Sequence, residues 1–456
     1  MLDSEMARSL DRQSLEQVDR DHYWHPFTQM SEYEPLIIER GSGVWLEDID
    51  GRKLLDGVSS MWCNVHGHRH PKINQAIVEQ LNRVAHVTSL GMSNPTAIEL
   101  TKELVDRSPS DLQCVFYSSD GASAIEVALK MAFQYWRQCD HPQLNRDRFL
   151  ALGNAYHGDT LGSVSVGGVS RFHAMFAPLL FDVVRGPCPD SFRTPNNTPA
   201  DQACEAYLAD YRKLFERFGD RLAAVVAEPL VQGAAGMVMH PPGFLRGLKQ
   251  LASEYDVLLI ADEIAVGVGR TGTMWACENE DVQPDILCAG KGLGGGYLPI
   301  AATLTTRKIW DAFLGEYSES RSLFHGHTFG GNPLACAASL ATLRLLDEES
   351  TLQNVRERST ELEAQLRPLL SHPQVGDVRV TGLTAAVELV RDKSSQQGYE
   401  WAERMGHRVC QAALKYGVWL RPLGNVIVIM PPLCIQSEDL QLLTAGLKEA
   451  VSEVLS

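Results

Sequence analysis

The sequence lacks the features that mark membrane, nucleic-acid-binding or disulfide-rich secreted proteins. No apolar run approaches the roughly 20 residues of a membrane-spanning helix. Basic residues do not dominate, since the formal net charge is -16, whereas nucleic acid and anionic membranes attract basic surfaces. None of the ten cysteines forms a C-x-x-C pair, and residues 1–21 contain no apolar signal segment. We therefore expect reduced thiols, a polar N-terminal arm of about thirty residues and a cytoplasmic location.

Short apolar runs alternate with helical patterns through the middle of this 456-residue chain. The runs "CVFYSS", "FLALG", "AAVVAEPL", "VLLIADE", "DILCAG" and "IAATLT" predict strands, and segments such as "GASAIEVALKMAFQYW" have helical periodicity. This alternation predicts an α/β fold with a mostly parallel sheet flanked by helices, followed by a smaller α+β domain. The expected division is an N-terminal segment within the small domain, a large cofactor-binding domain and a C-terminal small domain, at residues 1–65, 66–330 and 331–456.

Two candidate binding features follow predicted strands, at the sheet edge where ligands of open α/β sheets bind. Gly121 and Ala122, in "SSDGAS", begin a helix whose free N–H groups can bind a phosphate. The alternative is a plain strand-to-helix turn capped by Asp120. Tyr156, in "NAYHGDT", is placed either to stack on an aromatic ligand or to pack beside a turn.

Two charged residues also end apolar strands. Asp262, in "VLLIADE", is costly to bury without a cationic partner, unless it caps a helix or joins a structural ion pair. Lys291 lies between glycines in "AGKGLGGGYLP". It is either an exposed loop lysine or, in an apolar pocket, a lysine of lowered pKa that can form a Schiff base. A phosphate site, a stacking ring, a carboxylate for a pyridine nitrogen and a reactive lysine together predict pyridoxal 5'-phosphate.

Two further patterns are weaker. "GVGRTG" matches the G-x-G-x-x-G pattern, but the segment that follows, "TMWACENEDVQPD", is not the apolar helix that a dinucleotide site requires. "HGHRHP" contains His66, His68 and His70, for which no carboxylate or cysteine partner is evident. We therefore expect no metal site there, only a loop that enters a helix.

Three segments in order, "LLIADEIAVGVGRTG", "AGKGLGGGYLP" and "HTFGGNPLACA", resemble the class III aminotransferases of pyridoxal-phosphate fold type I. The resemblance covers nearly the whole chain. "WHPFTQM", "MWCNVHGHRHP", "FYSSDGASAIEVALKMAFQYW", "AYHGDTLGSVSVG" and "EPLVQGAAGM" resemble the subfamily that converts 8-amino-7-oxononanoate to 7,8-diaminononanoate in biotin biosynthesis. The resemblance implies a transaminase with a ping-pong mechanism that forms a homodimer with shared active sites. The alternatives are a general ω-aminotransferase for another amine and keto acid, and a non-catalytic or nucleotide-binding α/β protein.

The resemblance also implies roles for individual residues. Lys291 is implied as the catalytic Schiff-base residue, and Asp262 as the partner of the cofactor's ring nitrogen. The implied cofactor-binding residues are Gly121, Ala122, Tyr156, Asp262, Lys291, His327 and Thr328, with Thr328 donated by the other subunit. The implied substrate-binding residues are Phe27, Trp62, Tyr156, Gly326 and Arg421. The guanidinium of Arg421 would suit a substrate carboxylate.

Three positions depart from the family pattern. Many relatives have serine where this chain has Ala122, tyrosine where it has Phe27 and proline where it has His327. The departures at Phe27 and His327 resemble the branch that takes its amino group from L-lysine instead of S-adenosylmethionine. We expect one of these two donors and favour L-lysine.

Overall fold

The computed structural model describes residues 11–456, so residues 1–10 of the predicted N-terminal arm lie outside the described part. The remainder of the arm includes the helix Arg12–His22, whose N-cap, Asp11, accepts a hydrogen bond from the backbone N–H of Ser14. Within 11–456, we find no helix with both the length and the apolar character needed to cross a lipid bilayer.

A seven-stranded sheet lies at the centre of the described chain. In sheet order its strands are Leu112–Ser118, Ala301–Thr306, Ile286–Ala289, Leu258–Asp262, Leu222–Ala227, Arg148–Leu152 and Val184–Gly186. The prediction of a mostly parallel sheet is confirmed. However, Ala301–Thr306 is antiparallel to both of its neighbours. The sequence analysis did not detect this reversal. The connection from Ile286–Ala289 to Ala301–Thr306 contains only the short turn Lys291–Gly294. Parallel neighbours need a longer crossover, so a short connection favours the antiparallel direction.

Both faces of this sheet are buried, which explains why its strands are continuously apolar. Along one strand, Leu258 and Ile260 belong to one apolar cluster, whereas Leu259 belongs to another. Since successive strand side chains point to opposite faces, the two clusters cover opposite faces of the sheet. The helix Gly121–Gln138 packs on one of these faces.

The remaining helices surround the sheet and build the rest of the molecule. After Arg12–His22, the α-helices are Ser59–Trp62, Pro71–Leu81, Pro95–Asp106, Gly121–Gln138, Leu161–Val166, Ser170–His173, Ala203–Phe218, Phe244–Glu254, Arg307–Ala312, Pro333–Glu348, Thr351–Leu366, Met405–Lys415 and Ser437–Leu455. Asn94 caps the start of Pro95–Asp106 by accepting from the N–H of Ala97, as its sequence predicts.

Two smaller sheets lie outside the central one. The first pairs the strands Ile38–Ser42, Trp45–Asp48, Lys53–Asp56 and Val418–Trp419, and includes the predicted hairpin at Asp50-Gly51. The second is antiparallel and contains Val375–Thr381, Thr384–Leu389, Val426–Ile429 and Arg421–Leu423. A two-stranded hairpin joins Val231–Gln232 to Val238–Met239.

Strands from the two ends of the chain therefore meet. Lys53–Asp56 pairs in parallel with Val418–Trp419. This pairing supports the proposal that residues 1–65 share a small domain with residues 331–456. The helix Pro333–Glu348 has a different environment, because it packs against Pro71–Leu81 and Pro95–Asp106 of the proposed large domain.

Candidate active site

A cavity of about 470 Å³ opens at the carboxyl edge of the central sheet. Asp262 ends one strand, Glu228 follows a second strand, and Lys291 follows a third. The lining residues are Trp62, Asp120, Gly121, Ala122, Tyr156, His157, Gly158, Asp159, Thr160, Glu228, Ala234, Asp262, Ile264, Ala265 and Lys291. The structure thus brings together six residues singled out in the sequence, namely Trp62, Gly121, Ala122, Tyr156, Asp262 and Lys291.

Asp262 is held rigidly although it is buried. Its Oδ2 accepts a hydrogen bond from Nδ1 of His157 at 2.6 Å, and its Oδ1 accepts one from the backbone N–H of Ile264 at 3.1 Å. The Nε2 atom of His157 is also buried and has no hydrogen-bond partner within residues 11–456. An ionised carboxylate fixed in this way can stabilise a cation in the cavity.

Lys291 is half-buried and lies against Trp62, with Nζ 5.5 Å from the centroid of the indole ring. Burial lowers the pKa of its ammonium, while the carboxylates of Asp262 and Glu228 act in the opposite direction. Its backbone has φ +40°, which is unusual for a residue with a side chain. Lys291 is therefore not an exposed loop lysine, and its lowered pKa favours the nucleophilic free amine.

Only small residues fit at the start of the helix Gly121–Gln138. A Cβ on Gly121 would lie 2.8 Å from a methyl of Ile264, and a Cβ on Gly158 would lie 2.3 Å from the Cβ of Ala122. Asp120 caps the helix by accepting from the backbone N–H of Ser123 at 2.9 Å. The capping alternative is thus correct for Asp120, yet the N–H groups of Gly121 and Ala122 stay at the helix start beside the cavity, where an anion binds favourably.

Glu228 is a functional candidate that the sequence analysis missed. It is buried, and its Oε1 and Oε2 accept hydrogen bonds from the backbone N–H groups of Tyr156 and Gly233 at 3.0 and 2.9 Å. Burial raises the pKa of its carboxyl group to about 7. Glu228 directly follows an all-apolar strand, much as Asp262 ends one, and this similar pattern was the signal available in the sequence. His157 was visible in the sequence too, next to Tyr156.

Tyr156 presents its ring to the cavity and its hydroxyl group to Asp159. The phenol donates to Oδ2 of Asp159 at 2.7 Å, and the ring lies 6.5 Å from that of Phe172, centroid to centroid. Burial raises the pKa of the phenol, and the hydrogen bond to Asp159 acts in the same direction. The hydroxyl group therefore stays protonated and can act as a donor.

Comparison with known proteins identifies the family. The class-III aminotransferase family matches residues 28–451. The chain belongs to the class-III aminotransferases. It is 48% identical to the adenosylmethionine-8-amino-7-oxononanoate aminotransferase of Geobacter sulfurreducens, over 97% of this chain and 98% of that protein. This aminotransferase transfers amino groups, as its sequence predicts.

Two solved structures are similar to the aminotransferase over nearly its full length. One is the adenosylmethionine-8-amino-7-oxononanoate aminotransferase of Methanocaldococcus jannaschii, with a TM-score of 0.91 and 42% identity, covering 97% of this chain and 100% of that one. The other is an amine transaminase from an uncultivated Pseudomonas species in its PLP-bound form, with a TM-score of 0.90 and 35% identity, covering 95% and 99%.

Five predicted site residues lie outside the cavity lining of this one chain. They are Phe27, Gly326, His327, Thr328 and Arg421. Phe27 is exposed, and its ring centroid lies 5.3 Å from that of Phe172. Phe172 in turn neighbours Tyr156, which lines the cavity. Gly326 and Thr328 are exposed, as is Arg421 on the edge strand of the small-domain sheet. The roles of all five stay predictions.

His327 belongs to a short chain of polar contacts in the same loop. Its Nε2 lies 3.0 Å from Nε2 of His325, whose Nδ1 lies 3.1 Å from Nζ of Lys130. These contacts hold the loop against the helix Gly121–Gln138, on which Lys130 lies.

The two weaker sequence patterns of the aminotransferase also have clear structural contexts. "GVGRTG" forms consecutive turns, in which the buried Arg270 donates to the carbonyls of Leu383 and Pro431. "HGHRHP" does have a carboxylate partner, which corrects the sequence analysis. Glu349 contacts Nδ1 of His66 at 3.3 Å and Nε2 of His70 at 2.9 Å. No group of three or more metal-ligating side chains occurs in the described part of the chain.

Proposed function

We propose that this aminotransferase binds pyridoxal 5'-phosphate in the cavity. When bound, the cofactor supplies an aldehyde that condenses with amines and a ring that takes up electrons. The buried, rigidly held carboxylate of Asp262 fits a protonated ring nitrogen. The small residues Gly121, Ala122 and Gly158 fit a phosphate at the helix start, and Nζ of Lys291 fits the aldehyde. The amine transaminase of similar structure, which is PLP-bound, supports the same cofactor here.

The residues of this chain divide the chemical work in the following way. Asp262 holds a proton at the ring nitrogen, because its carboxylate stabilises the cationic form. Lys291 is the catalytic residue, and its Nζ moves a proton at the reacting carbon. Tyr156, which lines the cavity, would cover the cofactor's ring and exclude water from it. The indole ring of Trp62 lies beside Nζ of Lys291 and shields it from solvent.

The proposed acceptor is 8-amino-7-oxononanoate, which is converted to 7,8-diaminononanoate for biotin biosynthesis. The observation that carries this proposal is the 48% identity, over 97% of the chain, with a relative that is named for this acceptor. Arg421 is proposed to bind the carboxylate at the far end of the acceptor. Its guanidinium is exposed and joins no ion pair within the part of the chain that the structure describes.

The proposed donor is L-lysine, although the relatives are named for adenosylmethionine. Phe27 cannot offer the hydrogen bond of a tyrosine hydroxyl, and its ring packs against Phe172 instead. A donor with an adenosine group needs a larger polar surface than lysine does. His327 replaces a rigid proline with a ring that can donate or accept, which also distinguishes this site from the adenosylmethionine pattern.

A homodimer with shared active sites is proposed as the assembly. Apolar side chains near Gly326 and Thr328 are exposed in the single chain, including Phe324 at 75% and Phe329 at 60%. On the neighbouring loop, which Ser89 ties to the carbonyl of Gly330, Leu90 is 89% exposed. Contiguous exposed apolar side chains favour a protein interface. Such an interface would place Thr328 within reach of the partner's cavity, in the proposed cytoplasmic enzyme.

A general ω-aminotransferase is the second candidate, favoured by the similarity to the amine transaminase at a TM-score of 0.90. The two candidates differ in the acceptor that they use. Purified protein should be incubated with cofactor, one donor at a time, and either 8-amino-7-oxononanoate or a simple keto acid. Formation of 7,8-diaminononanoate, followed by mass spectrometry, supports the first candidate. Amination of the simple keto acid alone would contradict it.

A further inference from the structure

Glu228 presents a buried carboxyl group to the cavity, where the ammonium of Lys291 is a neighbouring charge but forms no ion pair with it. Only two backbone N–H groups bind it, those of Tyr156 and Gly233, and no Lys, Arg or His side chain forms an ion pair with it within residues 11–456. A buried carboxyl group avoids the cost of its charge by holding a proton, and a cationic ligand beside it would stabilise the ionised form instead.

The other carboxylates that line the cavity already have roles. Asp120 caps a helix through Ser123, and Asp159 accepts from the phenol of Tyr156. Asp262 accepts from His157 and is the proposed partner of the cofactor's ring nitrogen. Glu228 is therefore the lining carboxylate that no side chain, helix or proposed cofactor contact uses.

Glu228 lies next to the position where the reaction occurs, since Trp62 is a neighbour of both. A Cβ built on Gly233 would lie 3.3 Å from the indole ring of Trp62 and 3.8 Å from Oε2 of Glu228. The same indole ring lies 5.5 Å from Nζ of Lys291. Glu228, Trp62 and Lys291 therefore line the same cavity, in which a substrate that reacts beside Nζ of Lys291 would have to lie.

The proposed acceptor carries a cationic group. In 8-amino-7-oxononanoate the amine is on C8, directly beside the ketone carbon C7, and it is a cation at neutral pH. We propose that Glu228 binds this C8 ammonium and thereby selects acceptors with an amine adjacent to the ketone. This inference rests on the proposed acceptor. It makes Glu228 a specificity-determining residue, because a charge-assisted hydrogen bond at this position distinguishes the acceptor from an ordinary keto acid.

Glu263 provides a matched control for the burial of such a group. It is also fully buried, and its carboxylate accepts from two backbone N–H groups, those of Ala276 and Cys277, both at 2.8 Å. It does not line the cavity. Comparing Glu228→Gln with Glu263→Gln therefore separates the loss of a buried carboxylate from the loss of a substrate contact.

The test compares two acceptors that differ only in the C8 amine, 8-amino-7-oxononanoate and 7-oxononanoate, at a saturating concentration of one donor. Wild-type enzyme should prefer the first through a lower KM. Glu228→Gln should raise the KM for 8-amino-7-oxononanoate by roughly tenfold or more and change that for 7-oxononanoate by less than about threefold. Glu263→Gln should leave the ratio of the two kcat/KM values unchanged.

Four outcomes would overturn the inference. Equal losses for both acceptors in Glu228→Gln would show a structural role, and a changed ratio in Asp159→Asn alone would assign the ammonium to Asp159. If Glu228→Gln does not fold, equal KM values for the two acceptors with wild-type enzyme would refute the contact. Failure of wild-type enzyme to aminate 8-amino-7-oxononanoate, while it aminates other keto acids, would instead refute the proposed acceptor and this inference with it.

Discussion

The Nδ1 atom of His157 lies 2.6 Å from Oδ2 of Asp262, and both residues are buried. The carboxylate must accept this hydrogen bond, so the ring carries a proton on Nδ1. With Oδ1 bound by the N–H of Ile264, the carboxylate has a single orientation. Asp262 is thus fixed in place before any ligand arrives, which reduces the reorganisation needed during the reaction.

We expect Asp262→Asn to fold and to lose most of its activity. A neutral amide cannot stabilise a protonated ring nitrogen, and the expected loss in kcat is on the order of a hundredfold or more. Steady-state rates, with circular dichroism as the check on folding, measure this. Asp285→Asn is the control, because Asp285 binds Lys249 at the start of a strand, away from the cavity. Near-normal turnover of Asp262→Asn would show that the carboxylate is structural.

Borohydride treatment of the cofactor-loaded protein should attach the cofactor irreversibly to Lys291. The half-buried Nζ in the cavity, with its lowered pKa, is the amine best placed to hold the aldehyde. Peptide mass spectrometry locates the modified lysine, and Lys291→Ala should abolish the modification while it retains cofactor through the remaining contacts. Modification of a different lysine in the wild-type protein would refute the assignment.

Arg421→Ala should raise the KM for 8-amino-7-oxononanoate by about tenfold and change kcat little. The exposed guanidinium can pair with the acceptor's carboxylate, and loss of a partly solvated charge pair costs about 1–2 kcal/mol. Arg421→Lys should restore part of the affinity, because it keeps the charge but loses the two-pronged geometry. Unchanged KM values in both variants would place the carboxylate site elsewhere.

L-lysine should convert the acceptor faster than adenosylmethionine does when each is the sole donor. The missing hydroxyl at Phe27 and the imidazole at His327 change contacts worth about 0.5–1.5 kcal/mol each, enough to bias the choice. Formation of 7,8-diaminononanoate in a single turnover measures the preference. Phe27→Tyr combined with His327→Pro should shift it towards adenosylmethionine. Rapid conversion with adenosylmethionine and none with lysine would contradict the proposed donor.

Glu263 should make the folded protein less stable as the pH rises. Burial raises the pKa of its carboxyl group from 4.5 to about 7, although the hydrogen bonds from the N–H groups of Ala276 and Cys277 lower it. The titratable groups that face it are Glu278 and Cys277. The folded state keeps the proton that the unfolded chain loses. The contribution of Glu263 to stability should therefore be largest below pH 4.5 and fall by roughly 2–4 kcal/mol as the pH rises through about 7.

Thermal melting between pH 5 and pH 8 measures this effect. Glu263→Gln should melt at a lower temperature at pH 5, because the amide offers one acceptor for two N–H groups, yet its melting temperature should vary less with pH. Glu79→Gln, an exposed surface substitution, is the control and should follow the wild-type profile. A parallel pH profile in Glu263→Gln would show that other groups cause the dependence.

The sequence predicted those parts of the site that follow from local pattern. Asp262 and Lys291 each end a short apolar strand, and strand ends meet at one edge of a mostly parallel sheet, so their proximity could be inferred. Gly121 could be inferred in the same way. The antiparallel direction of Ala301–Thr306 could not, since it depends on how a connection folds and not on the apolar pattern of the strand.

Contacts between distant residues were beyond sequence reasoning. His66 and Glu349 are far apart in the chain, and only the tertiary fold brings together the loop that contains His66 and the end of the helix Pro333–Glu348, which Glu349 follows. Glu228 was overlooked although it follows an apolar strand and begins the segment "EPLVQGAAGM", because contacts with backbone N–H groups, which hold its carboxyl group, are not visible in a sequence. Thr328 is exposed in the single chain, so its role depends on an assembly that local pattern does not describe.

The pairing of Lys53–Asp56 with Val418–Trp419 affects how the protein folds during its synthesis. A ribosome that adds about 5–20 residues per second needs roughly 20–70 s to reach the second strand after the first has emerged. During that interval the N-terminal hairpin has an unpaired edge, which can attract other chains. This sheet can therefore close only after Val418–Trp419 has been synthesised, long after the N-terminal strands have emerged.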